Sequence, residues 1–178
     1  MKIKTLLISV LLLLTLTACG APTADQIKLS LKPGIDTVEI NTAYEDAGIK
    51  ATVYGLPVKV SIIENTVDMS KIGTYQITYQ VDYRGVIKTM TRYVFVVDET
   101  APVGLINPGI DTIYLGTTWV DTNVEVSDNS NDEISIITTG TVDSNTLGNY
   151  LITYTLEDTS GNVSTYYRWV SVIENPNQ

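Results

Sequence analysis

The sequence predicts an all-β fold: two tandem β-sandwiches behind a short apolar N-terminus. Three observations carry this. Tyr75, Ile77, Tyr79 and Val81 alternate with Thr74, Gln76, Thr78 and Gln80, and Tyr150, Ile152, Tyr154 and Leu156 repeat the alternation. A period of two sets one row of side chains on a buried face and the other on a wet one. The chain matches itself at an offset of 75 residues, and no segment holds a helical period for more than a turn or two.

The N-terminus is an address rather than a structural element. Lys2 and Lys4 precede an almost unbroken apolar run from Leu6 to Leu16, too short to span a bilayer as a helix. Thr17 and Ala18 are small, and Cys19 follows. This is the layout of a secretory signal. Leu16-Thr17-Ala18-Cys19 also resembles the lipobox of bacterial lipoproteins. The resemblance implies that residues 1–18 are a lipoprotein signal peptide, that Cys19 carries diacylglycerol on its sulfur, and that the new amine is acylated. Two or three chains, palmitate among them, hold a protein stably where one does not. Residues 19–27 then form a lipidated tether, with Gly20 to Gln26 small or polar. The expected location is the cell membrane, lipid-anchored and facing outside the cytoplasm.

After the tether the chain is written twice. Pro33-Gly34-Ile35-Asp36-Thr37 recurs as Pro108-Gly109-Ile110-Asp111-Thr112, Asp46 as Asp121 and Val67-Asp68 as Val142-Asp143. Gly73-Thr74-Tyr75-Gln76-Ile77-Thr78-Tyr79 recurs as Gly148-Asn149-Tyr150-Leu151-Ile152-Thr153-Tyr154. Beyond this the offset is 76, since Gly85 matches Gly161 and Arg92 matches Arg168; one extra residue in a turn accounts for the slip. The domains are residues 28–97 and 103–178. Between them, Asp98 to Pro102 is a linker whose proline cannot donate to a sheet ladder. Each repeat ends in a long hairpin, with second strands at Val86–Val97 and Val163–Ile173. Shorter strands are expected near Thr37–Ile40, Ile49–Val53 and Val58–Ile63, then Thr112–Leu115, Val124–Ser127 and Ile134–Thr139.

Gly73-x-Tyr75-x-Ile77 and Gly148-x-Tyr150-x-Ile152 resemble the start of strand F in immunoglobulin-like domains, where a Tyr often hydrogen-bonds back to the backbone. Ile77 and Ile152 stand where an antibody domain has its Cys. The whole repeat, from Pro-Gly-Ile-Asp-Thr to the final Arg-x-Val-x-Val strand, resembles the bacterial surface Ig-like domains found in tandem on surface proteins and in some pesticidal crystal toxins. The resemblance implies two tandem Ig-like β-sandwiches serving as interaction, adhesion or spacing modules.

Composition narrows the chemistry. The 178 residues contain no His and one Cys, with 11 Lys+Arg against 20 Asp+Glu. Relays that depend on His and imidazole metal sites are excluded, as is an internal disulfide. The acidic balance argues against nucleic acid as a partner, and no enzymatic activity is expected. Removing Lys2 and Lys4 with the leader leaves 9 basic and 20 acidic residues. From Lys28 to Val97 there are 8 basic and 7 acidic residues, whereas from Val103 onward there are one Arg and 10 acids. A near-neutral domain can lie close to an anionic surface while an acidic one is held away.

Two sets of residues are candidates for binding. If Val94, Val96, Val170 and Val172 point inward, Tyr93, Phe95, Tyr167 and Trp169 point outward, suited to stacking on a sugar, a peptide or a partner sheet. An envelope protein or a glycan is the expected partner, in addition to the membrane reached through the lipid. The second set is Asp128, Asn129, Asn131 and Asp132, part of an oxygen-rich loop with the ligand types that calcium takes, although the spacing matches no complete EF-hand. Calcium is the one cofactor considered. The expected role is a membrane-anchored envelope lipoprotein with two interaction modules; the alternative is a calcium-dependent adhesin or carbohydrate-binding module.

Overall fold

The computed structural model describes residues 22–176. The leader, Cys19 and the first residues of the tether lie outside the described residues. The first repeat folds into seven strands: β1 (Ile27–Leu31), β2 (Thr37–Glu39), β3 (Ile49–Val53), β4 (Leu56–Pro57), β5 (Ser61–Asn65), β6 (Gly73–Tyr83) and β7 (Val86–Val97). They form two sheets, ordered β1-β3-β4 and β2-β7-β6-β5. The second repeat supplies β8 (Val103–Ile106), β9 (Thr112–Tyr114), β10 (Val124–Ser127), β11 (Ser135–Thr139), β12 (Gly148–Glu157) and β13 (Val163–Ile173). Its sheets are β10-β8 and β11-β12-β13-β9. The short strands β2 and β9 run parallel to the hairpin strands β7 and β13, while the other pairings are antiparallel.

The hairpins follow from the alternation. Along β6, Ile77, Tyr79 and Val81 are buried; along β12, Ile152, Tyr154 and Leu156 are. Tyr83 pairs with Val86, leaving Arg84 and Gly85 as a two-residue turn, both with positive φ, 54° and 81°. That combination is the type I′ geometry whose twist matches the flanking strands. In the second hairpin Glu157 pairs with Val163, so the turn is the longer Asp158–Asn162 segment.

Ile77 belongs to one core cluster with Ile49 of β3, and Ile152 to one with Val124 of β10. Apolar packing between the two sheets therefore occupies the place where a disulfide would be expected in an antibody domain. Tyr75 and Tyr150 close the corners as their spacing suggests: each hydroxyl donates to a carbonyl four residues upstream, Lys71 O at 2.8 Å and Thr146 O at 2.7 Å.

Three details differ from the sequence reading. Ile27, assigned to the tether, opens β1 and is fully buried among Ala51, Val53 and Val81. Ahead of it, residues 24–26 make a short 3-10 turn tied down by Lys88, whose ammonium donates to Ala24 O and Ile27 O. A polar composition hid this because those groups are held through backbone carbonyls. β1 and β8 are two further strands that the sequence reading did not expect, although Ile27, Leu29 and Leu31 alternate with Lys28 and Ser30 along β1; in β8 the apolar Val103 and Leu105 are exposed. The strand expected at Val58–Ile63 begins only at Ser61, as β5, with β4 a separate two-residue strand ahead of it at Leu56–Pro57 and a register shift in β5 between Ile62 and Glu64.

Candidate functional site

The outward rows of the hairpins are where the valine parity places them. Val94, Val96, Val170 and Val172 are buried. Tyr93 and Phe95 are 56% and 43% exposed, and Tyr167 and Trp169 are 59% and 61% exposed. On the distal domain this row widens into a face. Trp169 lies opposite Leu151, Tyr167 opposite Thr153, and Thr155 of the same face opposite Ile137. Ile137, Tyr114 and Ile173 are also exposed, and β9 sets Tyr114 beside Ile173.

The inward row contains an arginine in each repeat that the sequence does not announce as core. Arg92 is 1% exposed and Arg168 is 4% exposed. Arg92 donates to Asp36 Oδ1 at 2.5 Å, to Lys32 O and to Gly48 O, and its Nε faces Asp46 at 3.5 Å. Arg168 donates to Thr122 Oγ1, to Asn107 O and to Asp121, with Asp111 at 3.3 Å from its Nε. A buried cation is tolerated only when paired and hydrogen-bonded, so these clusters hold the sandwich. The signal was present in the sequence as a trio that recurs: Asp36, Asp46 and Arg92, then Asp111, Asp121 and Arg168. The recurring glycine belongs to the same cluster. A Cβ on Gly34 would lie 2.8 Å from Ala47 Cβ and 3.2 Å from Arg92 Nη1, and one on Gly109 would lie 2.9 Å from Thr122 Oγ1 and 3.3 Å from Arg168 Nη2.

The junction of the two domains gathers acids from three separate stretches of chain. Asp98 of the linker, Asp128 after β10 and Asp158 of the β12–β13 turn each place a carboxylate oxygen within 4.8 Å of the others. Asp98 and Asp158 are 8% and 6% exposed. The Asp158 turn wraps the linker: Asp158 accepts from Ser160 N and Asn162 N, while the Asn162 amide donates to Asp98 O and Ser160 Oγ donates to Asp98 Oδ2 at 3.0 Å. A fourth carboxylate, Glu39 at the end of β2, accepts from the linker amides of Glu99 and Thr100. Among the described residues two bonds cross directly between the domains. Asn129 Nδ2 donates to Glu39 Oε1 at 2.9 Å, and Asn41 Nδ2 donates to Asn129 O at 2.8 Å.

Electrostatics follow the packing. Burial pushes the Asp98 carboxyl above its ordinary range, opposed by the Ser160 and Thr100 donors and reinforced by Asp128 and Glu39. Burial acts the same way on Glu39, but donors from Thr100, Asn129 and Glu99 outweigh it and hold that carboxyl low. Asp158 is likewise held low by Asn162, Ser160 and Gly161 against its burial. Among the described residues the ion pairs involve only Arg92 and Arg168, so no cationic side chain neutralises the junction.

Of the four oxygen-bearing candidates in the loop, the structure brings two to this site. Asp128 is a corner of the carboxylate triangle, and Asn129 bridges the domains. Asn131 and Asp132 are exposed; Asn131 has φ 60°, and Asp132 accepts from the Thr159 hydroxyl. Sequence reasoning missed Asp98, Asp158 and Glu39, which read separately as linker, turn and strand end.

The family described as "Bacterial surface protein, Ig-like domain" matches residues 34–96 and 110–172. An uncharacterized 81.3 kDa protein of Acholeplasma phage L2 is 34% identical over 140 residues. That match takes in 69% of this chain and 18% of the phage protein, so the chain spans less than a fifth of that relative's length. Similar solved structures include a lipoprotein of Bacteroides thetaiotaomicron, with 17% identity, TM-score 0.36, and coverage of 82% of this chain and 100% of that one. A human mucin-like protocadherin is similar with 14% identity, TM-score 0.36, and coverage of 83% and 99%. With the family pattern present in both repeats, and two sandwiches built on it, the chain belongs to the bacterial surface Ig-like domain family.

Proposed function

We propose that this protein is a lipid-anchored envelope protein that presents two Ig-like modules outside the cytoplasm for recognition or spacing, without catalysis. Its family of surface domains supports the location, and the leader and Cys19 supply the anchor chemistry. The observation that carries the recognition reading is the outward face of the distal domain. Trp169 and Tyr167, 61% and 59% exposed, stand on the outward face of a four-stranded sheet that also carries Ile137 and Tyr114. Large exposed apolar side chains gathered on one face mark interaction sites on soluble proteins, and aromatic rings stack on sugars and peptides alike. The near-neutral first domain sits next to the membrane in this arrangement, and the acidic second domain is held outward.

The test is binding of the full chain to envelope protein and cell-wall glycan prepared from its own cells, compared with Trp169→Ser and Tyr167→Ser. Retention of the wild type and a loss of at least about tenfold in the variants is expected; equal binding by all three overturns the recognition reading. A second reading, calcium-dependent recognition, is favoured by the carboxylate triangle at the junction and predicts that the same binding falls when calcium is chelated.

A further inference from the structure

We propose that Asp98, Asp128 and Asp158 form a calcium site at the domain junction, and that the bound ion locks the linker onto the distal domain. This deepens the calcium-dependent reading above and rests on it for its physiological setting. The starting point is charge. Three carboxylates share one small volume, two of them more than nine-tenths buried, and no Lys or Arg among the described residues pairs with them. Like charges at such separations oppose ionisation unless something neutralises them.

A second, independent observation points to a cation as the neutralising group. Asp128 Oδ2 accepts both the Ser130 amide and hydroxyl, but Asp128 Oδ1 is sealed from solvent and receives no donor. Oδ1 of the following residue, Asn129, is also sealed and unpartnered. An acceptor buried without a donor costs more than the bond would contribute, and most for a charged group. Both orphans are acceptors. A positive ion held by the carboxylates satisfies a buried acceptor of this kind, whereas another acceptor does not.

Geometry and ligand type select calcium. Oxygens each about 2.3–2.6 Å from one calcium can stand up to roughly 4.6–5.2 Å apart across it, and the three Asp oxygens lie within 4.8 Å of each other. All the groups are hard oxygen donors, which disfavours softer metals. The site also belongs to the junction alone. One repeat earlier, the positions of Asp98 and Asp128 are Thr23 and Val53, so duplication of the domain by itself does not create it. The ion would join the linker to the β10–β11 loop and the β12–β13 turn, with Glu39 and Asn129 holding the first domain against the same point.

Calorimetric titration of the purified full chain with calcium chloride, with magnesium chloride in parallel, tests the site. Calcium binding in roughly the 10⁻⁴–10⁻³ M range of extracellular modules is expected. At about 100-fold excess over that constant the melting temperature should rise by roughly 5 °C or more, and hydrogen exchange at Glu99 and Thr100 should slow. Asp128→Asn replaces the orphan acceptor with a donor facing carboxylates. It should melt at or above the wild type without calcium and lose the calcium-induced rise. Asp98→Asn gives the same comparison if Asp128→Asn folds poorly. Absence of binding at millimolar calcium, or an undiminished response in the folded variant, overturns the proposal. Calcium binding that leaves envelope recognition unchanged overturns only the calcium-dependent reading of that recognition.

Discussion

Tyr154 donates its hydroxyl to Asp121 at 2.6 Å, and in the first repeat Tyr79 donates to Asp46 at 2.5 Å. Each of these carboxylates also faces the buried guanidinium of its own domain, Arg168 or Arg92. The polar centre of each sandwich is therefore a Tyr–Asp–Arg contact bridging strands far apart in sequence. It sits beside an otherwise apolar cluster and fixes how the two sheets meet.

Alkaline unfolding follows from it. Both phenols are pushed up to about 12, by burial first and by the acceptor Asp second. A raised folded-state pKa means that the native state holds the proton more tightly. The stabilisation, about 2–3 kcal/mol per ring, is fully present below the unfolded value near ~10 and is lost as pH rises through about 12. Tyrosinate absorbance followed with circular dichroism should show these rings ionising together with loss of structure. Ionisation of every tyrosine near ~10 in a chain that stays folded would contradict the assignment.

The arginine clusters predict large losses. Arg92→Met or Arg168→Met leaves two carboxylates short of their buried partner and should cost about 3–5 kcal/mol in denaturant unfolding. Gly34→Ala pushes a methyl against Ala47 and the Arg92 guanidinium and should cost about 1–3 kcal/mol by overpacking. A loss below about 0.5 kcal/mol in both would mean that the cluster does not hold the fold.

The corner tyrosines separate hydrogen bonding from packing. Tyr75→Phe and Tyr150→Phe remove a hydroxyl that reaches a backbone carbonyl and should each cost about 1 kcal/mol. Tyr75→Ala also removes the ring from its cluster with Ile77 and Val94, and should cost about 3 kcal/mol. Equal losses for Phe and Ala would place all of the effect in the hydrogen bond.

What could be read from the sequence was what repeats or alternates locally. Strands β3, β7, β10 and β13 begin and end where their apolar patterns do, because a half-buried strand prints its period on its own residues. Strand β1 alternates too, Ile27, Leu29 and Leu31 against Lys28 and Ser30, but lies where the polar tether gives way to the domain; β8 is four residues long and is held by pairing with β10, information that lies elsewhere in the chain. Arg92 and Arg168 stood in the inward rows of the alternation, yet a charge in a core is intelligible only once its Asp partners converge on it. The junction is the extreme case. Asp98, Asp128 and Asp158 come from three segments that the sandwich alone brings to one end of a domain.

The most direct test of the envelope assignment is fractionation of cells expressing the full chain, with protease added to the intact cells. The wild type is expected in the membrane fraction, labelled by palmitate and digested from outside, whereas Cys19→Ala is unlabelled and no longer held through lipid. A wild type that stays in the cytosol, unlabelled and protected from protease, would contradict the account.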